Sequence, residues 1–181
     1  MGKNSKGLVL ITGTTSGVGL NTLKPLLRIG WEVIAVNRSN KRAKVKAQQS
    51  LTDSEMKNIH FIEVDLSDLD DVRVGCSEIL KKFKNPINSI ICNAAVYKPR
   101  LRKPERSPQG FENSMAVNHF GHFLLISLLL ENILSSEKEI DLNGKTTKFK
   151  PRITVLGTVT ANYSELGGRI PIPCLLYTSD A

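Results

Sequence analysis

The chain is poor in the residue types that build disulfide frameworks and nucleic-acid platforms. Its 181 residues include three cysteines, Cys76, Cys92 and Cys174, and no two of them are close in sequence. An odd number of separated cysteines argues against a disulfide framework and against a zinc knuckle, and it fits a reducing compartment. Aromatic residues make up 6% of the chain and are not interleaved with its basic clusters. We therefore predict no nucleic-acid partner, although the net charge is +8.

Histidines and long apolar runs are also scarce. His119 and His122 are three residues apart in a predicted helix and could share one face, but no third ligand type lies nearby. We predict packing or hydrogen bonding for them and no metal site. The longest apolar run, residues 123–130, is too short to cross a bilayer and predicts a buried helix. Residues 1–6 are too short and polar for a signal peptide, and we recognise no transit peptide.

What the chain does have is a regular alternation of apolar strands and helices. That alternation predicts an α/β fold, a Rossmann-type doubly wound parallel sheet, with about five strands. The predicted strands are residues 8–11, 31–36, 60–64, 88–92 and 152–156. The predicted helices are residues 20–29, 41–49, 53–57 with Thr52 as cap, 68–83 with Ser67 as cap, and 110–134, which we expect to be deeply buried. Pro25 predicts a bend in the first helix or a helix that tolerates it, and residues 135–150 predict a polar, hairpin-like loop.

A glycine-rich turn between the first strand and the first helix is the most informative segment. It runs from Thr12 to Gly19 and places glycines at positions 13, 17 and 19. Such a turn lets backbone N–H groups and the positive end of the helix meet a phosphate. We therefore predict a dinucleotide site formed by Gly13, Thr15, Ser16, Gly17, Val18 and Gly19.

The end of the second strand indicates which dinucleotide. NAD-binding versions of this fold carry an acidic residue there for the ribose 2′-hydroxyl, whereas this chain has Arg38. A guanidinium can bind a 2′-phosphate through two hydrogen bonds, so we predict NADPH as cofactor. Arg42 and Lys41 are equal candidates for a second contact, and Arg42 is included in the predicted site. For Lys44 and Lys46 we favour a solvated helix face.

The remaining strand ends complete the predicted crevice, because ligands bind outside the carboxyl ends of an open parallel sheet. Asp65 either accepts a hydrogen bond from the adenine amino group or caps the following helix, while Leu66 packs on the ring. Asn93, Ala94 and Ala95 follow the fourth strand. The two alanines either let the cofactor lie close to the backbone or provide close packing, and both interpretations can hold.

These segments resemble the short-chain dehydrogenase/reductase family, and within it the light-dependent protochlorophyllide oxidoreductases. The resemblance runs from about residue 7 to residue 173. The family elements are the glycine turn, the Asn93-Ala94-Ala95 run, Asn118 and the strand end at Gly157-Thr158. The segments that favour the pigment enzymes are residues 92–97, 110–112, 118–125 and 158–168.

The resemblance implies a reaction in which NADPH delivers a hydride to a ring double bond of protochlorophyllide. It implies catalytic roles for Asn118, in a proton relay, and for Thr158, at the family's serine position. A hydrogen bond in a helix bulge is the structural alternative for Asn118, and in this family both roles can hold. The resemblance further implies peripheral association with photosynthetic membranes and a cytoplasmic or thylakoid-associated location, in the plastid of a eukaryote, and it leaves the oligomeric state open.

The chain departs from the family at one motif. None of its tyrosines is followed by a lysine four residues later, so the family's Tyr-x-x-x-Lys pair is absent. We therefore expect residues 1–181 to be a single NADP-binding Rossmann domain that is incomplete at its C-terminus, with a non-native tail at 174–181. Such a fragment should bind NADPH weakly, turn over nothing, and expose Ile153 and Val155. The alternatives are a retinol-dehydrogenase-like short-chain reductase and a non-catalytic NADP-binding module.

Overall fold

Five parallel strands form the central sheet of the protein. The computed structural model describes residues 7–98, 103–142 and 145–157. In chain order the strands are β1 (Gly7–Thr12), β2 (Trp31–Asn37), β3 (Ile59–Glu63), β4 (Ser89–Cys92), β5 (Lys138–Leu142), β6 (Lys145–Phe149) and β7 (Arg152–Val155). The sheet has the order β3-β2-β1-β4-β7, and all four pairings are parallel. This arrangement confirms the predicted Rossmann-type α/β fold.

The helices follow the strands as expected, with shifted boundaries. They are α1 (Gly17–Arg28), α2 (Asn40–Gln48), α3 (Asp53–Met56), α4 (Leu69–Lys82), α5 (Asn113–Met115) and α6 (His122–Leu134). A π-helical turn, Ala116–Gly121, joins α5 to α6. The predicted start at residue 110 is wrong, because the carboxylate of Glu112 accepts a hydrogen bond from the Met115 N–H and caps the helix there. Pro25 lies inside α1, which tolerates it.

The helix caps show one correct and one wrong prediction. Thr52 caps α3 through a reciprocal capping box with Glu55, as predicted. Ser67 does not cap α4. The cap is Asp68, whose carboxylate accepts from the Asp70 N–H at 3.0 Å. The Ser67 side chain is instead held at the turn before the helix, where its N–H and hydroxyl both donate to Asp65.

Alternate residues of the sheet supply two hydrophobic layers, as the two-residue period of a strand requires. Leu8 and Leu10 of β1 point to one face, where they join a cluster that includes the buried residues of α4 and α6. Val9 and Ile11 point to the other face and pack with Leu23 and Leu27 of α1. Because both faces are covered, the carboxyl ends of β1 to β4 form the open edge at which a ligand can bind.

The long helix is less buried than expected. Leu125, Leu129 and Ile133 recur every four residues and are buried, whereas Phe123, Leu130 and Leu134 are exposed. The continuous helix Asn113–Leu134 has 22 residues, and by length and composition alone it could span a membrane. A core helix passes the same test, and the buried stripe of this helix packs in the core cluster. The apolar run at residues 123–130 is part of this longer helix, and its place in the core agrees with the prediction.

The hairpin predicted before the last strand is present. Strands β5 and β6 are antiparallel, with Leu142 opposite Lys145. Strand β7 then pairs with β4 at one edge of the sheet, and Ile153 and Val155 are 40% and 59% exposed, as expected. Thr158 and the tail at 174–181 lie outside the described residues.

Candidate functional site

The glycine turn after β1 is shaped by close packing between strand ends and α1. Gly13 has a φ of 73°, and a Cβ built on it would lie 2.7 Å from the Cα of Ala94. A Cβ on Gly19 would overlap the Gly13 carbonyl and the side-chain amide of Asn93. Side chains at these two positions would therefore push α1 away from the ends of β1 and β4. The glycines allow a helix N-terminus to sit directly at the edge of the sheet.

The first turn of α1 is not capped by a side chain. Ser16 occupies the N-cap position but makes no side-chain hydrogen bond to the helix, and no acidic residue lies in the first turn. The first N–H groups of a helix have no intrahelical partners, and the helix dipole gives this end a partial positive charge. The start of α1 therefore suits an anionic ligand, and Thr15, Ser16 and Val18 line the adjoining cavity.

Asn37, the last residue of β2, fixes the glycine turn. Its Oδ1 accepts a hydrogen bond from the Thr14 N–H at 2.7 Å, and its Nδ2 donates to the Thr14 hydroxyl at 2.9 Å. Asn37 is only 3% exposed. Neither Asn37 nor Thr14 was predicted as a site residue, although a polar residue such as Asn37 at the end of an apolar strand is a recognisable signal.

Thr12 connects the ends of β1 and β4. Its Oγ1 accepts hydrogen bonds from the backbone N–H groups of Asn93 at 3.0 Å and Ala94 at 2.9 Å, and it lies 2.9 Å from Nε2 of His122. The Asn93 side chain donates in return to the carbonyls of Thr12 and Gly13. No role in the site was predicted for Thr12 or His122. The bonds that Thr12 makes to Asn93 and His122 join residues 81 and 110 positions apart.

These strand ends surround a cavity of about 390 Å³, which lies within the range of small-molecule sites. The predicted residues that line it are Gly13, Thr15, Ser16, Val18, Arg38, Arg42, Asp65, Leu66, Asn93, Ala94 and Ala95. Gly17 and Gly19 do not line it. The residues that the sequence analysis missed are Val36, Asn37, Ser39, Val64, Val96 and Val117.

Two arginines stand at one end of the cavity. Arg38 follows β2, and Arg42 lies in the first turn of α2, whose cap Ser39 accepts a hydrogen bond from the Arg42 N–H. Both side chains are exposed, and among the described residues neither has a carboxylate within ion-pair distance. Lys41 does not line the cavity. Of the two equal candidates, Arg42 is thus the one that the fold places beside Arg38.

The end of β3 provides an acidic and an apolar group. Oδ1 of Asp65 accepts hydrogen bonds from the Ser67 N–H at 2.9 Å and the Ser67 hydroxyl at 2.7 Å. Asp65 therefore organises its own turn and is not the cap of α4. Leu66 is buried, and both residues line the cavity.

Asn118 lies in the π-helical turn, and both ends of its side-chain amide are hydrogen-bonded to Val96. Its Oδ1 accepts from the Val96 N–H at 2.7 Å, and its Nδ2 donates to the Val96 carbonyl at 2.9 Å. This arrangement is the structural alternative named above, a hydrogen bond from a helix bulge. It fixes the loop that continues from Asn93 to Ala95. The role of Thr158 cannot be placed, since it lies outside the described residues.

Among the described residues, the other histidine and cysteine side chains do not cluster into a second reactive centre. His122 is buried whereas His119 is exposed, so the two do not share a face. Within residues 7–98, 103–142 and 145–157, no group of three His, Cys, Asp or Glu side chains could hold a metal ion. Burial raises the pKa of Cys76 and of Cys92 to about 11, so both are neutral thiols at physiological pH.

Comparisons with known proteins agree with this geometry. The profile of the family described as short chain dehydrogenase matches residues 7–139. The chain is 38% identical to the protochlorophyllide reductase of Daucus carota, and also 38% identical to that of Cucumis sativus. Each alignment covers 92% of this chain and 39% of the relative, so the chain spans about two fifths of their length.

A solved structure has the same fold at lower identity. It is the bulky-bulky ketone specific alcohol dehydrogenase from Comamonas testosteroni, with a TM-score of 0.66 and 21% identity. The match covers 89% of this chain and 58% of that protein.

Proposed function

Because this chain belongs to the short-chain dehydrogenase family, we propose that it is the NADPH-binding part of a light-dependent protochlorophyllide reductase. The observation that carries the proposal is that a suitable cavity and a sequence similarity to one enzyme occur in the same chain. A cavity of about 390 Å³ with two arginines at one end occurs in a sequence that is 38% identical to a plant protochlorophyllide reductase over 92% of its length. When bound, NADPH would supply the hydride that reduces the ring double bond.

The residues around the cavity fit such a cofactor. The uncapped first turn of α1 would bind the pyrophosphate through backbone N–H groups. The apolar Leu66 side chain would cover the adenine ring, and Asp65 would accept from its amino group. The glycine at position 13 allows the ends of β1 and β4 to pack closely at the cavity wall, because a Cβ there would lie 2.7 Å from the Cα of Ala94.

The charge at the end of β2 favours a phosphorylated ribose. Arg38 and Arg42 would donate charge-assisted hydrogen bonds to a 2′-phosphate. In NAD-binding proteins a carboxylate holds the unmodified hydroxyl at this place. Within the part of the chain that the structure describes, Asp65, which follows β3, is the one acidic residue that lines this cavity.

Reduction of the double bond also needs a proton donor. The chain has no Tyr-x-x-x-Lys pair, so we propose that it binds and orients the cofactor without supplying the family's proton donor. The amide of Asn118 is bonded to Val96, and its proposed contribution is to fix the loop next to the nicotinamide end of the cavity. On the basis of the chloroplastic relatives, we also propose protochlorophyllide as substrate and the plastid as location.

Titration of the 181-residue chain in the dark tests this function. We expect NADPH to bind at least tenfold more tightly than NADH, and protochlorophyllide to show a shifted absorbance band only when both the chain and NADPH are present. Equal affinities for the two nucleotides would contradict the cofactor assignment. NADPH-dependent binding of retinal with no effect on the pigment would instead identify a retinol-dehydrogenase-like reductase. NADPH binding with neither ligand would identify a non-catalytic module.

A further inference from the structure

We propose that His122 is a positioning residue that acts as a neutral imidazole carrying its proton on Nδ1, and that it couples two clamps on the cavity wall formed by residues 93–96. One clamp is the Thr12 hydroxyl, which holds the backbone of Asn93 and Ala94. The other is the Asn118 amide, which holds the backbone of Val96. His122 stands between them.

The tautomer follows from the hydrogen bonds of Thr12. A threonine hydroxyl has one proton to donate and two lone pairs to accept with. Two backbone N–H groups, from Asn93 at 3.0 Å and Ala94 at 2.9 Å, occupy both lone pairs. The 2.9 Å contact with Nε2 of His122 must therefore use the hydroxyl proton. Nε2 is then an unprotonated acceptor, and a neutral ring must carry its proton on Nδ1.

The second contact of the ring joins it to the other clamp. A polar interaction with the backbone of Asn118 acts to raise the pKa of His122. Only an acceptor favours the protonated form of an imidazole, so we infer that Nδ1–H faces the Asn118 carbonyl. His122 thus stands between the Thr12 hydroxyl, which holds Asn93 and Ala94, and Asn118, whose side chain holds Val96.

The surroundings keep the ring neutral. His122 is 4% exposed, and burial is the largest cause lowering its pKa below the usual 6.5. Among the described residues, no charged side chain contributes to that shift. The titratable groups on the buried faces of α4 and β4 are the neutral thiols of Cys76 and Cys92. Asp65, after β3, and Asp71, in the first turn of α4, are half-buried carboxylates, and Asp71 accepts from the Asp65 N–H.

Protonation would break this arrangement. An imidazolium presents N–H groups on both nitrogens, and the Thr12 oxygen has no lone pair left to accept from Nε2–H. Because the pKa of His122 is lowered in the folded state, the fold loses stability as pH falls below about 6.5, the value for an unperturbed histidine. We expect the wall at residues 93–96 to loosen at the lower pH at which His122 of the folded chain is itself protonated.

The tautomer is measured directly on the unliganded chain. Long-range ¹H–¹⁵N spectra of histidine-labelled protein at pH 7.5 distinguish protonated from unprotonated ring nitrogens, and H122Q and H119Q assign the signals. We expect His122 to have a protonated Nδ1 and an unprotonated Nε2. A protonated Nε2 at this pH would overturn the inference, whatever the cofactor.

Two variants separate the two bonds, with a matched control on the same helical segment. The amide oxygen of H122Q reaches the position of Nε2 and can accept from Thr12 at every pH, whereas H122N retains only a donor near the Asn118 carbonyl. H119Q makes the same change at an exposed histidine three residues away.

The functional readout is NADPH affinity between pH 7.5 and 5, and this readout rests on the proposed function. At each pH the NADPH affinity of each protein is divided by that of H122Q. We expect this ratio to fall about tenfold at the acid end for wild type and for H119Q, which is the size expected for one hydrogen bond. H122N should be weak throughout. Protonation of the 2′-phosphate affects all variants equally and cancels in the ratio. Identical profiles for wild type and H122Q would overturn the coupling, whereas a failure of wild type to bind NADPH at pH 7.5 would overturn the proposed function instead.

Discussion

Replacement of Arg38 by glutamate should reverse the preference for NADPH over NADH. Arg38 lines the cavity next to Arg42, and no carboxylate of the described residues neutralises either side chain. Loss of one charge-assisted hydrogen bond costs about 1.5 kcal/mol at the lower end of its range. The lower end applies because Arg38 is exposed and its charge is screened by water.

The new carboxylate adds repulsion to that loss. A unit charge about 6 Å from a doubly charged phosphate in a water-like dielectric costs about 1.4 kcal/mol. The sum of about 3 kcal/mol corresponds to roughly a hundredfold weaker binding of NADPH. NADH has no 2′-phosphate, and a carboxylate at this position can accept from its ribose hydroxyl. Its affinity should stay the same or rise.

Parallel titrations that follow the fluorescence of the reduced nicotinamide would give both dissociation constants. The matched control is K41E. It makes the same change in net charge three residues further along the chain, at a residue that does not line the cavity. Repetition at higher salt should reduce the effect of K41E more than that of R38E, since long-range fields are screened first. An unchanged NADPH to NADH ratio in R38E, or an equal change in K41E, would refute the assignment of Arg38.

Three further predictions concern the stability and reactivity of the chain. Gly19→Ala should destabilise the fold by about 1–3 kcal/mol and weaken nucleotide binding, because the added Cβ overlaps the Gly13 carbonyl; unchanged urea unfolding would contradict this. Leu129→Ala should cost about 2–5 kcal/mol, since Leu129 is fully buried against α4 and the sheet, and a loss below 1 kcal/mol in the same assay would show that the helix is loosely packed. Cys76 and Cys92, with pKa values of about 11, should resist iodoacetamide at pH 8 in the native state and react after unfolding; rapid native labelling would indicate that the core is open.

The order of elements and the glycine turn could be predicted because they depend on short stretches of chain. A buried strand is recognised by its apolar run, a helix by its period, and a tight turn by glycines that accept a positive φ, as Gly13 does. The placement of Arg38 followed from the same logic, since the residue after a parallel strand must lie at the ligand-binding edge. The Thr52 cap was predictable for the same reason, because its partner Glu55 is three residues away.

Competition between neighbouring polar groups was harder to predict. Ser67 and Asp68 are both good helix caps, and the choice between them depends on whether Asp65 has already engaged the Ser67 hydroxyl. The exposed face of α6 was mispredicted for a related reason. Composition shows that Phe123 and Leu130 are apolar, but it does not show which of the apolar positions the sheet and α4 cover.

Local sequence therefore established the parallel strands, the glycine-rich turn and the cationic position after β2, since each is a property of a few consecutive residues. The bonds that join Thr12 to Asn93 and His122, and Asn118 to Val96, arose only when the chain folded. They depend on separations of 22 to 110 residues and on how many lone pairs each partner has left, and no periodic pattern in a sequence records either quantity.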